Sequence, residues 1–206
     1  GGLGAAIAEM GKEVDCIEVN CPSCSAVDRE KCYLTSIPHF GEILIMAFSC
    51  SACGFRSTEV KPGGSHAEGA CRISLNVSCD EDWDRLVLKG SGSVMRVPEL
   101  ELELEGGAMS STLTTVEGLL EKVYLHLSST HPFSYGDSSD SSSFASRLKQ
   151  FLSRFDKLRK ARSPFTLILE DPLGQSNVEP PRSCIGGGVD ERLTLERYEV
   201  EEEGEE

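Results

Sequence analysis

Two pairs of cysteines constrain this 206-residue chain more than any other feature. Cys21 and Cys24 form one C-x₂-C pair, and Cys50 and Cys53 form a second after an interval of 25 residues. Two thiolates on one tight turn can reach the same ion, and a second pair completes a tetrahedron around zinc. Four sulfurs leave no position for water or substrate, so we predict one structural Zn²⁺ and no catalytic metal. The alternative is a set of ordinary buried or disulfide-bonded cysteines.

The residues between the two pairs favour β-structure. Two β-rich runs, residues 31–35 and 42–48, flank a turn at Pro38, His39 and Phe40. This order predicts a zinc ribbon over residues 18–64, preceded by a linker or frayed terminus at residues 1–17. The run from Ile43 to Phe48 is continuously apolar, so both faces of that strand need cover from a neighbouring domain or from a partner.

Residues 65–198 predict a β-rich domain with a helical hairpin at about residues 114–160. From Val97 onward, leucines alternate with glutamates up to Glu105, which predicts one continuous strand. Thr114 and Glu117 are spaced as a capping box at the start of the first helix. Apolar residues at helical spacing from Phe144 to Leu158 predict the second helix. The Glu-rich residues 199–206 predict an acidic disordered tail.

The charge of the chain is unevenly distributed. The net charge is −14, yet residues 144–162 carry seven bases and one acid, a local net charge of +6. The overall balance argues against general nucleic-acid binding, which needs a basic face to displace counterions from phosphates. A nucleic-acid-binding zinc ribbon with the basic helix as its footprint remains the alternative function. That alternative requires Phe151 and Phe155 to be exposed for stacking on bases, whereas their helical spacing favours burial.

The sequence contains no motif of a catalytic site. A phosphate-binding loop and an H-E-x-x-H metal motif are both absent, and the glutamates from Glu99 to Glu105 are typical of a solvated strand face. We therefore predict a protein that is not an enzyme. Nine cysteines without a disulfide framework favour a reducing compartment. No secretory signal or membrane-spanning segment is predicted, and the start at Gly1 suggests a fragment of a longer protein.

Several longer motifs occur in order from about residue 18 to residue 198. They are Cys21-Pro22-x-Cys24, Ile37-Pro38-His39-Phe40, Ile43-Leu44-Ile45-Met46, Cys50-x-x-Cys53-Gly54-Phe55-Arg56, Glu59-Val60-Lys61-Pro62-Gly63-Gly64, Thr114-Thr115-Val116-Glu117-Gly118-Leu119-Leu120, Pro132-Phe133, Gly136-Asp137-Ser138 and Asp171-Pro172-Leu173-Gly174. In this combination the chain resembles the ZPR-type zinc-finger proteins of eukaryotes.

The resemblance implies a fold. Members of that family carry two tandem copies of a module, and His39 with Gly136-Asp137-Ser138 makes this chain similar to the C-terminal copy. The implied fold is mainly β with a helical hairpin: a four-cysteine zinc ribbon followed by a β-rich domain similar to a double-stranded β-helix. Asn177 departs from the family pattern, which has an aromatic residue at that place.

The resemblance also implies a function. It indicates an adaptor or folding chaperone for translation elongation factor 1-alpha, the GTPase that delivers aminoacyl-tRNA, in the cytoplasm and the nucleus. Cytoplasmic domains of receptor tyrosine kinases are a further implied partner. We predict that the partner contacts an apolar ribbon surface and the basic face of the second helix. The predicted partner-binding residues are Pro38, His39, Phe40, Ile43, Ile45, Met46, Arg147 and Arg154.

Overall fold

The computed structural model describes residues 12–63, 69–130, 141–182 and 189–199. Most of the predicted linker, the Gly136-Asp137-Ser138 motif and residues 200–206 of the predicted acidic tail lie outside these ranges. Within them the chain is mainly β, as the sequence predicts, with two long helices. Among the described residues, no helix has both the length and the apolar character needed to cross a bilayer.

The N-terminal part is a four-stranded antiparallel ribbon whose strands follow one another in chain order. Its strands are β1 Lys12–Asn20, β2 Val27–Ile37, β3 Gly41–Ser49 and β4 Arg56–Pro62. The first cysteine pair lies in the β1–β2 turn and the second in the β3–β4 turn. The turn at Pro38, His39 and Phe40 joins β2 to β3 at the opposite end of the ribbon.

Strand β1 corrects the predicted linker. It begins at Lys12, six residues before the expected start of the ribbon, and pairs with β2 from Lys12 opposite Leu34 to Asn20 opposite Val27. The Gly- and Ala-rich composition of residues 1–11 suggested a linker that continued to residue 17. The long strand β2 overrides that local signal, because it offers backbone partners along its whole outer edge.

The C-terminal part contains two antiparallel sheets, with strand orders β12-β5-β10-β7-β8 and β11-β6-β9. The strands are β5 Ala70–Val77, β6 Leu86–Lys89, β7 Val94–Val97, β8 Leu102–Leu104, β9 Thr112–Thr115, β10 Phe165–Asp171, β11 Asn177–Val178 and β12 Leu193–Tyr198. The helices are α1 Asp80–Trp83, α2 Val116–Thr130 and α3 Ser141–Lys160. The main core joins one face of the larger sheet to α2 and α3. Trp83, Phe155 and Phe165 are its largest aromatic members.

The continuous strand predicted from Val97 to Glu105 is wrong. Residues Pro98–Leu100 form a 3₁₀ turn, and Glu101 after it takes a left-handed conformation with φ 53°. Proline lacks the N–H that a ladder needs, so β7 ends at Val97 and β8 begins only at Leu102. The alternating leucines nevertheless point inward, as expected, and all three are buried.

The start of helix α2 differs by one residue from the predicted capping box. Thr114 belongs to strand β9, and Thr115 caps the helix by accepting a hydrogen bond from the Gly118 N–H at 3.0 Å. The helix then packs on α3 through Tyr124, whose ring meets that of Phe155 edge-on at 5.8 Å. The spacing of apolar residues therefore located the helix correctly, whereas the capping motif misplaced its first residue.

The inner face of β3 is covered by the β-domain and does not face a partner. Ile43 and Ile45 are fully buried in a cluster that Val60 of β4 shares with Leu88 of β6 and Leu113 of β9. The prediction that Ile43 and Ile45 contact a partner is therefore wrong. Both cluster members from the β-domain lie on short strands. In β6 the neighbouring Val87 belongs to the main core, so that strand buries both of its faces.

A hydrogen bond joins the ribbon to the β-domain at the β2–β3 turn. The side-chain amide of Asn177 donates to the backbone carbonyl of His39 at 2.8 Å. His39 itself is exposed and has a left-handed backbone with φ 67°. The residue that departs from the family pattern thus fixes the turn from which His39 projects.

Candidate metal centre

The two cysteine pairs occupy turns with the same backbone hydrogen bonds. In the first turn the N–H of Ser25 donates to the carbonyl of Cys21 at 2.8 Å. In the second, Gly54 donates to Cys50 at 2.9 Å. Ser25 and Gly54 both adopt left-handed conformations, with φ 60° and φ 74°. This conformation curls each turn so that both of its thiols point to one side.

The four sulfur atoms have the geometry of a tetrahedral zinc site. The Sγ atoms of Cys21 and Cys53 lie 3.6 Å apart, and so do those of Cys24 and Cys50. All four sulfurs lie within 4.8 Å of one another. Zinc–sulfur bonds of about 2.3 Å in a tetrahedron place the sulfurs roughly 3.8 Å apart. The four predicted ligands therefore converge on a space of the right size for one Zn²⁺.

The Cys24 thiol holds its proton tightly in the absence of a cation. The N–H of Ala26 favours the Cys24 thiolate, but the three neighbouring sulfurs and burial outweigh it and raise the pKa of Cys24 to about 12. Zinc binds thiolates, so it replaces these protons and its affinity falls as the pH falls. With four sulfur ligands, zinc has no open position, and its contribution is to the folding of the ribbon.

A small apolar cluster lies under the metal centre. Cys21 and Cys50 are buried against Phe48 of β3. Phe55 follows the second turn and packs against the same cluster, with its ring 6.3 Å from that of Phe48. Cys24 and Cys53 are on the exposed side. The site is therefore closed by protein on one side and bordered by solvent on the other.

Asp28 supports the metal centre and was missed by the sequence analysis. Its carboxylate accepts hydrogen bonds from the backbone N–H of Ser51 at 2.6 Å and from the Ser51 hydroxyl at 2.7 Å. The bond from the Ser51 N–H is the main cause that lowers the pKa of Asp28. Asp28 on β2 thereby holds the second cysteine turn against the first. The only sequence signal was an acidic residue four positions after Cys24, which is too common to interpret.

The remaining predicted ribbon residues lie in two places. Pro38 and His39 are exposed at the β2–β3 turn, while Phe40 is partly buried against the cluster between ribbon and β-domain. Met46 lies on the face of β3 opposite Ile43 and Ile45, and it is partly exposed. Leu44 of β3 and Leu34 of β2 pair across the strands on the same face as Met46 and are also partly exposed. We call Leu34, Leu44 and Met46 the outer face of the ribbon.

The basic residues of α3 divide into two groups. Toward its C-terminal end, Arg159 pairs with Glu121 of α2 at 3.7 Å, and Lys160 pairs with Asp156 at 2.7 Å. Arg162, just beyond the helix, pairs with Asp80 and Glu117. Three of the seven bases of the positive segment are thus paired with acids within the molecule.

The second group lies in the middle of α3. Arg154 reaches Glu101 at 3.6 Å, with both side chains largely in water. Arg147 is exposed and makes no ion pair with any residue that the structure describes. The two predicted partner-binding arginines are therefore accessible, and within the described part of the chain only Arg154 has an acidic partner.

The aromatic residues of α3 are placed poorly for stacking on bases. Phe155 is fully buried, and Phe151 packs on the main core with its ring 5.9 Å from that of Phe155. A nucleic-acid surface of the single-strand type needs exposed aromatic faces beside its basic groups. Among the α3 side chains that the structure describes, most of the basic groups are exposed and neither ring is.

Two sequence models of protein domains match the chain. The ZPR1 zinc-finger domain matches residues 13–68, and the ZPR1 jelly-roll domain matches residues 81–206. The first range contains the four-cysteine ribbon, and the second contains nearly all of the two-sheet β-domain with its helices. Together they cover most of the chain.

Curated relatives agree with these matches. Zinc finger protein ZPR1 of Drosophila melanogaster is 37% identical over 193 residues, which is 94% of this chain and 41% of that protein. Zinc finger chaperone zpr1 of Schizosaccharomyces pombe is 37% identical over 187 residues, 91% of this chain and 40% of that protein.

A shorter archaeal relative matches over most of its own length. An uncharacterized ZPR1-like protein of Methanocaldococcus jannaschii is 29% identical over 188 residues, 89% of this chain and 87% of that protein. The chain therefore spans about 40% of the two eukaryotic relatives and most of the archaeal one. With both domain matches in the expected order, the chain belongs to the ZPR1 zinc-finger protein family.

Proposed function

We propose that this chain is a zinc-stabilised protein-binding module, not an enzyme, that serves as an adaptor or folding chaperone for translation elongation factor 1-alpha. The name of the Schizosaccharomyces pombe relative, a zinc finger chaperone, supports the chaperone part of this proposal. The elongation factor as client follows from the family resemblance of the motifs. By the same resemblance, the module works in the cytoplasm and the nucleus and also contacts receptor tyrosine kinase domains.

The observation that carries the proposal is the two-sided apolar character of β3. Its inner face, with Ile43 and Ile45, is buried against the β-domain. Its outer face keeps Leu44 and Met46 partly exposed, next to Leu34 of β2. A strand whose second face is apolar without full cover is suited to a protein partner. The client-binding surface is therefore assigned to the outer face and to the neighbouring exposed turn at Pro38 and His39.

Zinc supports this surface indirectly. The ribbon has only small apolar clusters of its own, so the metal contributes folding free energy that the packing does not supply. The ion holds the two cysteine turns together, and these turns hold the ends of β2 and β3. Loss of zinc would therefore disorder the outer face without removing any of its residues.

A binding titration against elongation factor 1-alpha tests the proposal. We expect micromolar or tighter binding by isothermal titration calorimetry for the zinc-loaded chain. The double variant Leu44→Asp with Met46→Asp places two charges on the outer face and should weaken binding at least tenfold. Leu125→Asp is the matched control, because Leu125 is an exposed leucine on α2, away from the ribbon.

The variants must keep their zinc and their fold, which metal analysis and circular dichroism can establish. Equal loss of binding in the outer-face variant and in Leu125→Asp would reject the outer face as the client surface. Absence of binding by the zinc-loaded wild-type chain at 100 µM would reject this module as an independent binder of the elongation factor.

A further inference from the structure

A groove lies between the 3₁₀ turn after β7 and the middle of α3. Its volume is about 450 Å³, and its lining is both apolar and basic. Leu100 and Phe151 supply apolar surface, and both also belong to or pack on the main core. The polar residues of the lining are Glu101, Arg147, Gln150 and Arg154.

The two arginines border the groove at a fixed interval. Arg147 and Arg154 are seven residues apart, which is two helical turns, so they project from the same face of α3 about 10 Å apart along its axis. Gln150 and Phe151 lie between them on that face. The helix thus presents two guanidinium groups with an amide and an apolar surface between them.

Glu101 already places a carboxylate in this groove. Its oxygen lies 3.6 Å from the Arg154 guanidinium, yet 81% of the Glu101 side chain is exposed. An ion pair this exposed contributes little to stability, so an incoming carboxylate can displace it at small cost. Arg147, at the other end, has no such neighbour among the described residues. As far as the structure describes the chain, the groove therefore has one arginine with a weakly held carboxylate and one with no carboxylate partner.

The spacing of the arginines matches an extended peptide. In a polyproline II segment, residues i and i+3 lie on the same side and about 9.3 Å apart. Two acidic residues at these positions would reach both arginines, and the apolar residue between them would contact the partly exposed Phe151. Guanidinium groups bind carboxylates through paired hydrogen bonds, which gives such a contact directional preference.

We propose that the groove between residues 98–101 and α3 binds an extended acidic segment of a partner protein, with carboxylates three residues apart and an apolar residue between them. The proposal rests on the protein-binding role of the chain but not on the identity of its client. A single-stranded nucleic acid is a poorer fit, because base stacking needs an open aromatic face, and Phe151, which packs on the core, offers only part of its surface.

The test uses a fluorescein-labelled nonapeptide whose central residues are Glu-Pro-Leu-Glu, titrated with the complete zinc-loaded chain at low salt. Binding is measured by fluorescence anisotropy. The double variant Arg147→Glu with Arg154→Glu should weaken binding at least tenfold. The matched control is Lys149→Glu with Lys157→Glu, which makes the same charge change on the same helix outside the groove and should alter affinity less than twofold.

A further variant should strengthen peptide binding, which misfolding cannot explain. Glu101→Gln removes the competing carboxylate, so it should tighten peptide binding about threefold or more, a result that a damaged fold would not give. A peptide with glutamines in place of both glutamates should bind at least tenfold more weakly.

Three results would overturn the proposal. The first is no binding of the peptide at 200 µM, and the second is an equal loss in the groove variant and the lysine control, which would indicate diffuse attraction only. The third is tighter binding of a single-stranded RNA oligonucleotide that depends on Arg147 and Arg154, which would assign the groove to nucleic acid. The peptide titration contains no elongation factor. Its result therefore tests the groove alone and leaves the proposal about the elongation factor to its own titration.

Discussion

Ser25 and Gly54 occupy equivalent places in the two cysteine turns, but they meet the same backbone requirement at different cost. Both have positive φ angles, which glycine adopts freely and a residue with a Cβ adopts at a cost of about 1 kcal/mol. The first turn therefore holds some strain that the second lacks. The strain persists because the four sulfurs and the paired strands fix the turn from both sides.

Replacement of Ser25 by glycine should consequently stabilise the zinc-loaded chain by about 0.5–1 kcal/mol. Gly54→Ser should destabilise it by about 1 kcal/mol or more, because it introduces the strained conformation at the second turn. Chemical denaturation with zinc in excess measures both changes. The assigned backbone conformations would be contradicted if Ser25→Gly did not raise the free energy of unfolding, or if Gly54→Ser did not lower it.

Asp28 is a second residue that supports the metal centre. Asp28→Ala removes the acceptor that holds Ser51, so the second turn should lose part of its preorganisation and zinc affinity should fall about tenfold. Competition with a chromophoric chelator measures this affinity. Glu18→Ala, an exposed acidic residue on β1, is the control and should leave the affinity unchanged. Equal affinities of Asp28→Ala and wild type would show that the Ser51 contact does not order the site.

At the scale of single elements, strand β3 is the clearest case of two faces with different roles. Ile45→Ala should cost about 2–4 kcal/mol in free energy of unfolding, because Ile45 is fully buried between ribbon and β-domain. Met46→Ala should cost under about 1 kcal/mol, since its side chain keeps contact with solvent. Denaturant midpoints of the two variants make the comparison. A larger cost for Met46→Ala would reverse the assignment of inner and outer faces.

Strand β12 depends on a buried group of charges. Arg192 at its start lies 3.1 Å from the Asp82 carboxylate of α1, which is fully buried. Arg85 reaches the same carboxylate at 3.4 Å and Asp190 at 2.6 Å. Most side chains of β12 are exposed, so this charge group and the pairing with β5 hold the strand.

The charge group should make folding sensitive to acid. Burial opposes the charge of Asp82, but the N–H groups of Ser78 and Cys79, the Cys79 thiol and Arg192 outweigh it and lower the pKa of Asp82. The unfolded state then binds the proton first, so stability present above about pH 4 is lost as the pH falls through the folded-state pKa. Denaturation at a series of acidic pH values should show this loss in wild type.

Asp82→Asn should lower stability by about 3 kcal/mol at neutral pH and flatten the acid dependence. Asp84→Asn makes the same change at an exposed residue two positions later and should leave the pH profile as in wild type. An unaltered pH profile in Asp82→Asn would mean that other carboxylates govern acid unfolding.

For the whole molecule, the central feature is the apolar contact between ribbon and β-domain. Strand β6 serves both parts, because Val87 faces the main core while Leu88 faces Ile43 and Ile45 of the ribbon. The metal centre lies at the far end of the ribbon from the His39 turn, yet both are connected through β2 and β3. Folding of the ribbon around zinc therefore supports one side of the β-domain.

Removal of zinc should also affect strands of the β-domain. After chelation, amide hydrogens of β6 and β9 should exchange faster by at least tenfold, because the side of these strands that faces the ribbon loses its contact with Ile43 and Ile45. Strands β5 and β10 should change much less, since their core lies with α2 and α3. Hydrogen exchange with mass spectrometry resolves these strands. Unchanged exchange in β6 and β9 would show that the two parts fold independently.

Local patterns in the sequence were sufficient for features that depend on neighbours along the chain. The C-x₂-C spacing identified all four cysteines of the metal centre, because two thiols on one tight turn can reach a common ion. Helical spacing from Val116 and from Phe144 located both long helices, and alternation identified Leu100, Leu102 and Leu104 as buried. Long motifs then identified the family, which no single motif does.

The tertiary structure decided what depends on residues distant in the chain. The apolar run from Ile43 to Phe48 predicts that both faces of the strand need cover. It does not predict that Leu88 and Leu113 cover one of these faces. Asp28 gained its role only because the second turn folds beside it, and Arg147 and Arg154 formed a groove only because the Pro98 turn lies opposite them. The sequence by itself therefore determined the metal, the family and the helices, whereas packing between distant segments decided which surfaces remain for a partner.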